Sequence, residues 1–317
     1  MDRRRFLELA GVLPLAAAAA SCTRYEESSG RRAPTSGPTG GDLAESGPLY
    51  QVSLAEWSVN RSVQAKKLDH LDFPKYARSV GIDAVEYVST LFADGKCDAK
   101  YVAALKSRCE GEGVQSLLIM VDGEGNLGAA EPAARAQAVA NHHRWVEAAA
   151  DLGCHAIRVN ARSSGSYDEQ ADRAADGLRQ LCDYGDRFGI DVIVENHGGL
   201  SSDGAWLAAV MRKTDHPRVG TLPDFGNFSI SKTEVYDRYK GVEELMPFAK
   251  AVSGKSYAFD AKGRETKIDY ARMMKIVVDA GYRGYVGIEF EGAGAAREGI
   301  LATKALLESV RADLAKN

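Results

Sequence analysis

The chain has 317 residues, 45% hydrophobic and 26% charged, which fits one large α/β domain or two small ones with ample material for a core. The formal net charge is -4, and removing a leader that ends at Ser21 and carries a net +1 leaves -5. That balance excludes a polyanion such as nucleic acid as a natural partner.

Arg3, Arg4 and Arg5 precede Phe6-Leu7, and an apolar stretch of roughly a dozen residues, Leu9 to Ala20, is too short to span a bilayer. The pattern resembles a twin-arginine export signal, so residues 1–21 are expected to be a signal peptide. Its end, Ala19-Ala20-Ser21-Cys22, resembles a lipobox in which Cys22 is lipidated; an ordinary signal cleaved near Ala18–Ala20 is the alternative. The expectation is an exported protein of the cell envelope or periplasm, touching the membrane only through a lipid at Cys22. Twin-arginine export carries folded proteins, so a metal would be loaded before the chain crosses the membrane. Residues 22–48 are rich in Ser, Gly, Pro and Thr and cannot bury enough surface to order themselves, which predicts a flexible linker. Cys97, Cys109, Cys154 and Cys182 show neither metal-knuckle spacing nor a CxxC pair; they read as core or helix-face thiols, with a disulfide left open.

From Tyr50 onward one module recurs: an apolar strand, a polar strand end, a helix, and a glycine that stops the helix before the next strand. Strands are expected at Tyr50–Ala55, Ala84–Val88, Val114–Val121, Ala156–Asn160, Val192–Glu195, Val219–Asp224, Ala251–Tyr257 and Tyr285–Phe290. Gly81, Gly113, Gly153, Gly189 and Gly281 hold the stop position, where a left-handed cap is cheapest without a Cβ. Asp72 followed by Pro74 reads as a helix start. Eight such units predict an α/β fold, a (β/α)8 TIM barrel, over residues 49–317. A doubly wound sheet is the competitor, but no GxGxxG follows the first strand.

The stretch Asp191–Gly199, DVIVENHGG, shows how polar groups are placed. Side chains alternate along a strand, so Glu195 and His197 share the face of Ile193. Strand ends elsewhere carry Glu86, Asp122, Asn160, Asp224, Lys255 and Glu289. In YVGIEF the apolar Val286, Ile288 and Phe290 take the helix side and leave Glu289 for the interior; IRVN does the same with Arg158 and Asn160. Glu195, Asp224 and Glu289 at one level repel strongly unless a cation holds them, and one divalent ion with oxygen ligands (Mn, Mg, Co or Zn) is the economical answer. The alternative is a structural network in which Arg158 and Lys255 neutralise the acids.

With EYV at Glu86–Val88, VENHGGLSS at Val194–Ser202, GTLPDFGNF at Gly220–Phe228, KSYAFD at Lys255–Asp260 and GYVGIEFEG at Gly284–Gly292, the chain resembles the sugar phosphate isomerase/epimerase superfamily with xylose isomerase-like barrels. The resemblance implies that Glu195, Asp224 and Glu289 bind a divalent metal and that Glu195 and Glu289 form the acid–base pair. It also implies a fourth ligand, a histidine on the seventh strand, where this chain has Val252-Ser253-Gly254-Lys255. His197 is the candidate replacement ligand, and Lys255 the candidate oxyanion stabiliser, with a Schiff base at Lys255 as an alternative. Glu86, Arg158, Asn160 and Trp57 are expected to bind substrate, and Trp206, Phe225, Phe228 and Tyr257 could stack on a sugar face or belong to the core.

The implied chemistry is proton abstraction next to a carbonyl on a sugar. No glycine-rich phosphate loop is present and an exported enzyme meets few sugar phosphates, so a non-phosphorylated sugar or keto-sugar is expected. Alternatives are a metal-dependent lyase or dehydratase and a catalytically silent sugar-binding lipoprotein. A third, a related-barrel endonuclease, is opposed by the acidic balance and by only 6 histidines. A homo-oligomer is left open.

Overall fold

The computed structural model describes residues 47–92 and 97–316. The expectations about the leader and Cys22 lie outside the described residues.

Eight parallel strands curl into a TIM-like barrel: β1 (Gln51–Ala55), β2 (Ala84–Val88), β3 (Gln115–Met120), β4 (Ala156–Val159), β5 (Asp191–Glu195), β6 (Val219–Leu222), β7 (Val252–Ser256) and β8 (Tyr285–Phe290). Around them lie α1 (Asn60–Gln64), α2 (Phe73–Ser79), α3 (Ala99–Glu112), α4 (Pro132–Leu152), α5 (Tyr167–Asp186), α6 (Gly204–Thr214), α7 (Arg238–Leu245), α8 (Tyr270–Asp279) and α9 (Ala296–Leu314). The fold and the expected strands are therefore observed, with ends moved by one or two residues.

Ladders run continuously from β6 through β5, β4, β3, β2, β1 and β8 to β7. Between β6 and β7 the barrel closes differently, through single bridges at Thr221–Ala249 and Asp224–Ser253. Pro223 explains the interruption, since it has no N–H for a ladder. Its carbonyl still accepts from Ser253 N at 3.0 Å, and Phe225 N donates to Ser253 O at 3.2 Å.

Parity places the side chains. Ala55, Val88, Leu118, Met120, Ala156, Ile193, Leu222 and Ala251 pack in the barrel interior, while Leu54, Val85, Ile119, Ile157, Val192, Val194, Val286 and Ile288 join the larger core under the helices. The five expected stop glycines all have positive φ, from 63° to 85°. The helix start expected from Asp72 and Pro74 is observed, with Asp72 at the N-cap position of α2, but not through a side-chain cap. The Asp72 side chain pairs with Arg108; the carboxylate that accepts a backbone N–H there is Asp69, from Leu71 at 2.8 Å. Among the described residues, Cys97, Cys109, Cys154 and Cys182 are free thiols.

Candidate active site

The carboxyl ends of the strands converge on a buried ionic cluster. Glu195 at the end of β5, Asp224 just beyond β6 and Glu289 on β8 each offer a carboxylate oxygen, and these oxygens lie within 4.8 Å of one another. The three are 1%, 0% and 4% exposed. Lys255 on β7 is 2% exposed. With Glu86 and Arg158, the barrel interior holds four buried acids against two buried cations, so the acids outnumber the fixed counter-charges.

Each acid is fastened differently. Asp224 Oδ1 accepts from the backbone N–H groups of Gly226 and Asn227, both at 2.8 Å, so its own loop orients it. Asn196, turned to the opposite face from Glu195, holds that loop: its Oδ1 accepts from Asp224 N at 2.7 Å, and its Nδ2 donates to Asp224 O at 2.9 Å and to Asn227 O at 3.1 Å. Asn196 thus replaces on the β5 side the pairing that Pro223 denies on the other.

Ser253 Oγ stands 2.7 Å from Asp224 Oδ2 and 2.8 Å from Glu289 Oε2. One hydroxyl hydrogen serves only one of these carboxylates, so the second contact needs a proton on the acid or a cation nearby. Lys255 Nζ donates to Glu289 Oε1 at 2.6 Å and to Glu291 Oε2 at 3.2 Å, and lies 3.6 Å from Asp224 Oδ2. Glu195 Oε1 accepts from Asn227 Nδ2 at 3.1 Å. Its Oε2 is 2.7 Å from Arg158 Nε but out of hydrogen-bond alignment, which leaves both atoms buried and unsatisfied.

Burial raises the pKa of Glu195 against the opposing pull of Arg158, and raises Asp224 against Lys255. Burial also acts to raise Glu289, but the Lys255 charge and hydrogen bond override it and hold that carboxyl below its usual range. Lys255 itself loses solvation yet is held well above the usual lysine value by Asp224 and Glu289. It is an ammonium, not the neutral amine that Schiff-base chemistry requires.

The cluster fits a divalent ion: hard oxygen donors, a spacing that one cation can bridge, more buried acids than buried cations, and a buried carboxylate oxygen with no aligned hydrogen bond. His197 is not in it. Its Nδ1 lies 3.0 Å from Asn160 Oδ1, and Asn160 Nδ2 donates to Asp122 Oδ1 at 2.6 Å. That pairing makes Nδ1 the donor nitrogen, while burial and the Arg158 charge lower the pKa and keep the ring neutral.

Two cavities open at this end of the barrel. One of about 500 Å³ is lined by Asp122, Asn160, His197 and Trp57; the other, about 460 Å³, by Trp57, Arg61, Tyr257 and Glu291. Trp57 belongs to both, and its Nε1 donates to Glu291 Oε1 at 2.5 Å. Of the expected substrate residues, Asn160 and Trp57 line this space. Arg158 lies beneath it, bonded to Asp122 at 3.0 Å. Glu86 is 1% exposed, accepts from Ser53 Oγ at 2.6 Å, and fills the space over Gly287, where a Cβ would lie 2.5 Å from its carboxylate. Tyr257 borders a cavity, whereas Trp206, Phe225 and Phe228 are core residues with no free face for a sugar.

Sequence reasoning missed Ser253, Asn227, Asn196 and Glu291. Parity was the available signal for two of them, because Ser253 shares the face of Lys255 and Glu291 follows Glu289 by two positions.

A family model described as a xylose isomerase-like TIM barrel matches residues 74–309. Among solved structures, a sugar phosphate isomerase/epimerase from Parabacteroides distasonis superposes with a TM-score of 0.65 at 13% identity, covering 86% of this chain and 98% of that one. The 3-keto-D-glucoside 4-epimerase from E. coli gives 0.63 at 18%, covering 82% and 99%. A xylose isomerase domain protein from Planctomyces limnophilus gives 0.62 at 16%, covering 84% and 98%. A short segment of 48 residues is 40% identical to the 3'-dehydrocarminate deglycosidase alpha subunit of a Microbacterium species; it amounts to 15% of this chain and 14% of that subunit.

Proposed function

The chain belongs to the xylose isomerase-like TIM barrel family, and from that premise we propose that it is an isomerase or epimerase of non-phosphorylated sugars or keto-sugars. In this reading it moves a proton on the carbon next to a carbonyl. The observation that carries the proposal is the buried Glu195–Asp224–Glu289 cluster, in which two glutamates from separate strands bring carboxylate oxygens within 4.8 Å of each other.

Glu289 is held ionised by Lys255, so it is the group ready to accept the proton. Glu195, pushed toward its protonated form, is the group ready to return one from another side. Return to the same carbon inverts it, and return to the adjacent carbon moves the carbonyl. Asp224 anchors the cluster, and Lys255 sets a positive charge beside the forming oxyanion. Asn160, His197 and Trp57 orient the sugar from the cavity wall. A divalent ion on Glu195, Asp224 and Glu289 would polarise the carbonyl and acidify the neighbouring C–H.

A second reading, a lyase that expels a β-substituent after the same proton abstraction, is favoured by the segment shared with a deglycosidase subunit. Product analysis by NMR separates the two. Incubation with keto-sugars and their glycosides is expected to yield an isomer of unchanged formula. An unsaturated product would establish the lyase reading, and no conversion of any substrate in the presence of Mn²⁺, Co²⁺, Mg²⁺ or Zn²⁺ would refute both.

A further inference from the structure

The ammonium of Lys255 and a divalent ion call on the same oxygens. Nζ is 2.6 Å from Glu289 Oε1 and 3.6 Å from Asp224 Oδ2, two carboxylates of the cluster that could hold the ion. Two cations cannot share them closely, because like charges repel strongly where burial removes the screening of water. The third carboxylate on Nζ, Glu291 at 3.2 Å, lies outside the cluster; its side chain is one-third exposed and lines the cavity of about 460 Å³. The lysine therefore has an alternative carboxylate on the side that leads to solvent. Its four-carbon stem is flexible enough to turn from one partner to the other. Trp57 fixes the receiving end by donating to Glu291 Oε1 at 2.5 Å, which leaves Oε2 for the ammonium.

We propose that Lys255 is a tethered counter-cation: it holds Asp224 and Glu289 together when no divalent ion is bound, and swings onto Glu291 toward the cavity when the ion enters. The inference rests on the metal reading of this site. Metal occupancy is then set by an exchange between an internal and an external cation. In the exchanged state Lys255 stands at the cavity wall, where it can meet a substrate oxygen.

Two measurements test this on the mature chain. In the first, lysine-directed labelling followed by mass spectrometry compares Lys255 with and without saturating Mn²⁺. Labelling of Lys255 is expected to rise by about tenfold as the ammonium leaves its buried position. Full protection of Lys255 in a chain shown by calorimetry to hold one equivalent of Mn²⁺ would overturn the exchange and leave the metal reading standing. In the second, calorimetry of Mn²⁺ binding compares wild type with Lys255→Met and Glu291→Gln. Lys255→Met is expected to bind roughly tenfold tighter or more, and Glu291→Gln several-fold weaker. Equal affinities in all three chains would overturn the proposal. Absence of Mn²⁺ binding in all three would overturn both it and the metal reading. The labelling arm needs no variant, so poor folding of Lys255→Met leaves the proposal open to refutation.

Discussion

Glu86 shows most simply what burial does to a charged side chain in this barrel. Desolvation raises its pKa to about 7, the Ser53 hydrogen bond opposing, and its Oε2 has no partner. The folded chain thus binds the Glu86 proton more tightly than the unfolded chain does. Stability from this group is complete below the ordinary glutamate range and is lost as pH rises toward 7. Glu86→Gln removes the titration, so its melting temperature relative to wild type is expected to climb between pH 5 and pH 8. The gain at pH 8 should be on the order of 2 to 3 kcal/mol. A difference that does not change with pH, measured by thermal melts across that range, would contradict the account of this residue. Ser253 teaches a different lesson. A serine in a strand carries no chemical signal in sequence, and only the fold shows it poised between two carboxylates.

The elements were legible because the strands are short apolar runs with polar residues at or just beyond their ends, and five of the eight have a glycine before them that ends the preceding helix. Alternation within YVGIEF and IRVN placed Glu289 and Arg158 inward correctly, since a buried strand leaves only two directions to choose from. Loops offer no such rule. Phe225 and Phe228 follow a strand end yet fold back into the core, and Asp72 gives its carboxylate to Arg108, 36 residues away, instead of capping its helix. The β6–β7 seam was equally hidden, although Pro223 marks it in the sequence. On the opposite, β5 side of the same loop, Asn196 holds the Asp224 backbone. Asn196→Ala is expected to cost about 1 to 3 kcal/mol, because it leaves buried backbone groups of the Asp224 loop unsatisfied. Metal affinity should fall with it, as Asp224 loses its fixed position. Unchanged denaturation midpoint and unchanged metal affinity would remove Asn196 from this role.

For the whole molecule, the proposed placement is the cell envelope, with Cys22 lipidated and a tether ahead of the barrel. Fractionation of cells carrying Cys22→Ala is expected to find the protein released from the membrane; retention as firm as wild type would overturn the anchor. The catalytic proposal turns on the two glutamates that the barrel brings together from β5 and β8, and hydrogen exchange probes it most directly. Wild-type protein with its sugar substrate in deuterated water is expected to place deuterium on the carbon beside the carbonyl. Glu289→Gln and Glu195→Gln should each lower that exchange by at least about a hundredfold while melting normally. Exchange at the wild-type rate in either variant would contradict the assignment of these carboxylates as the acid–base pair.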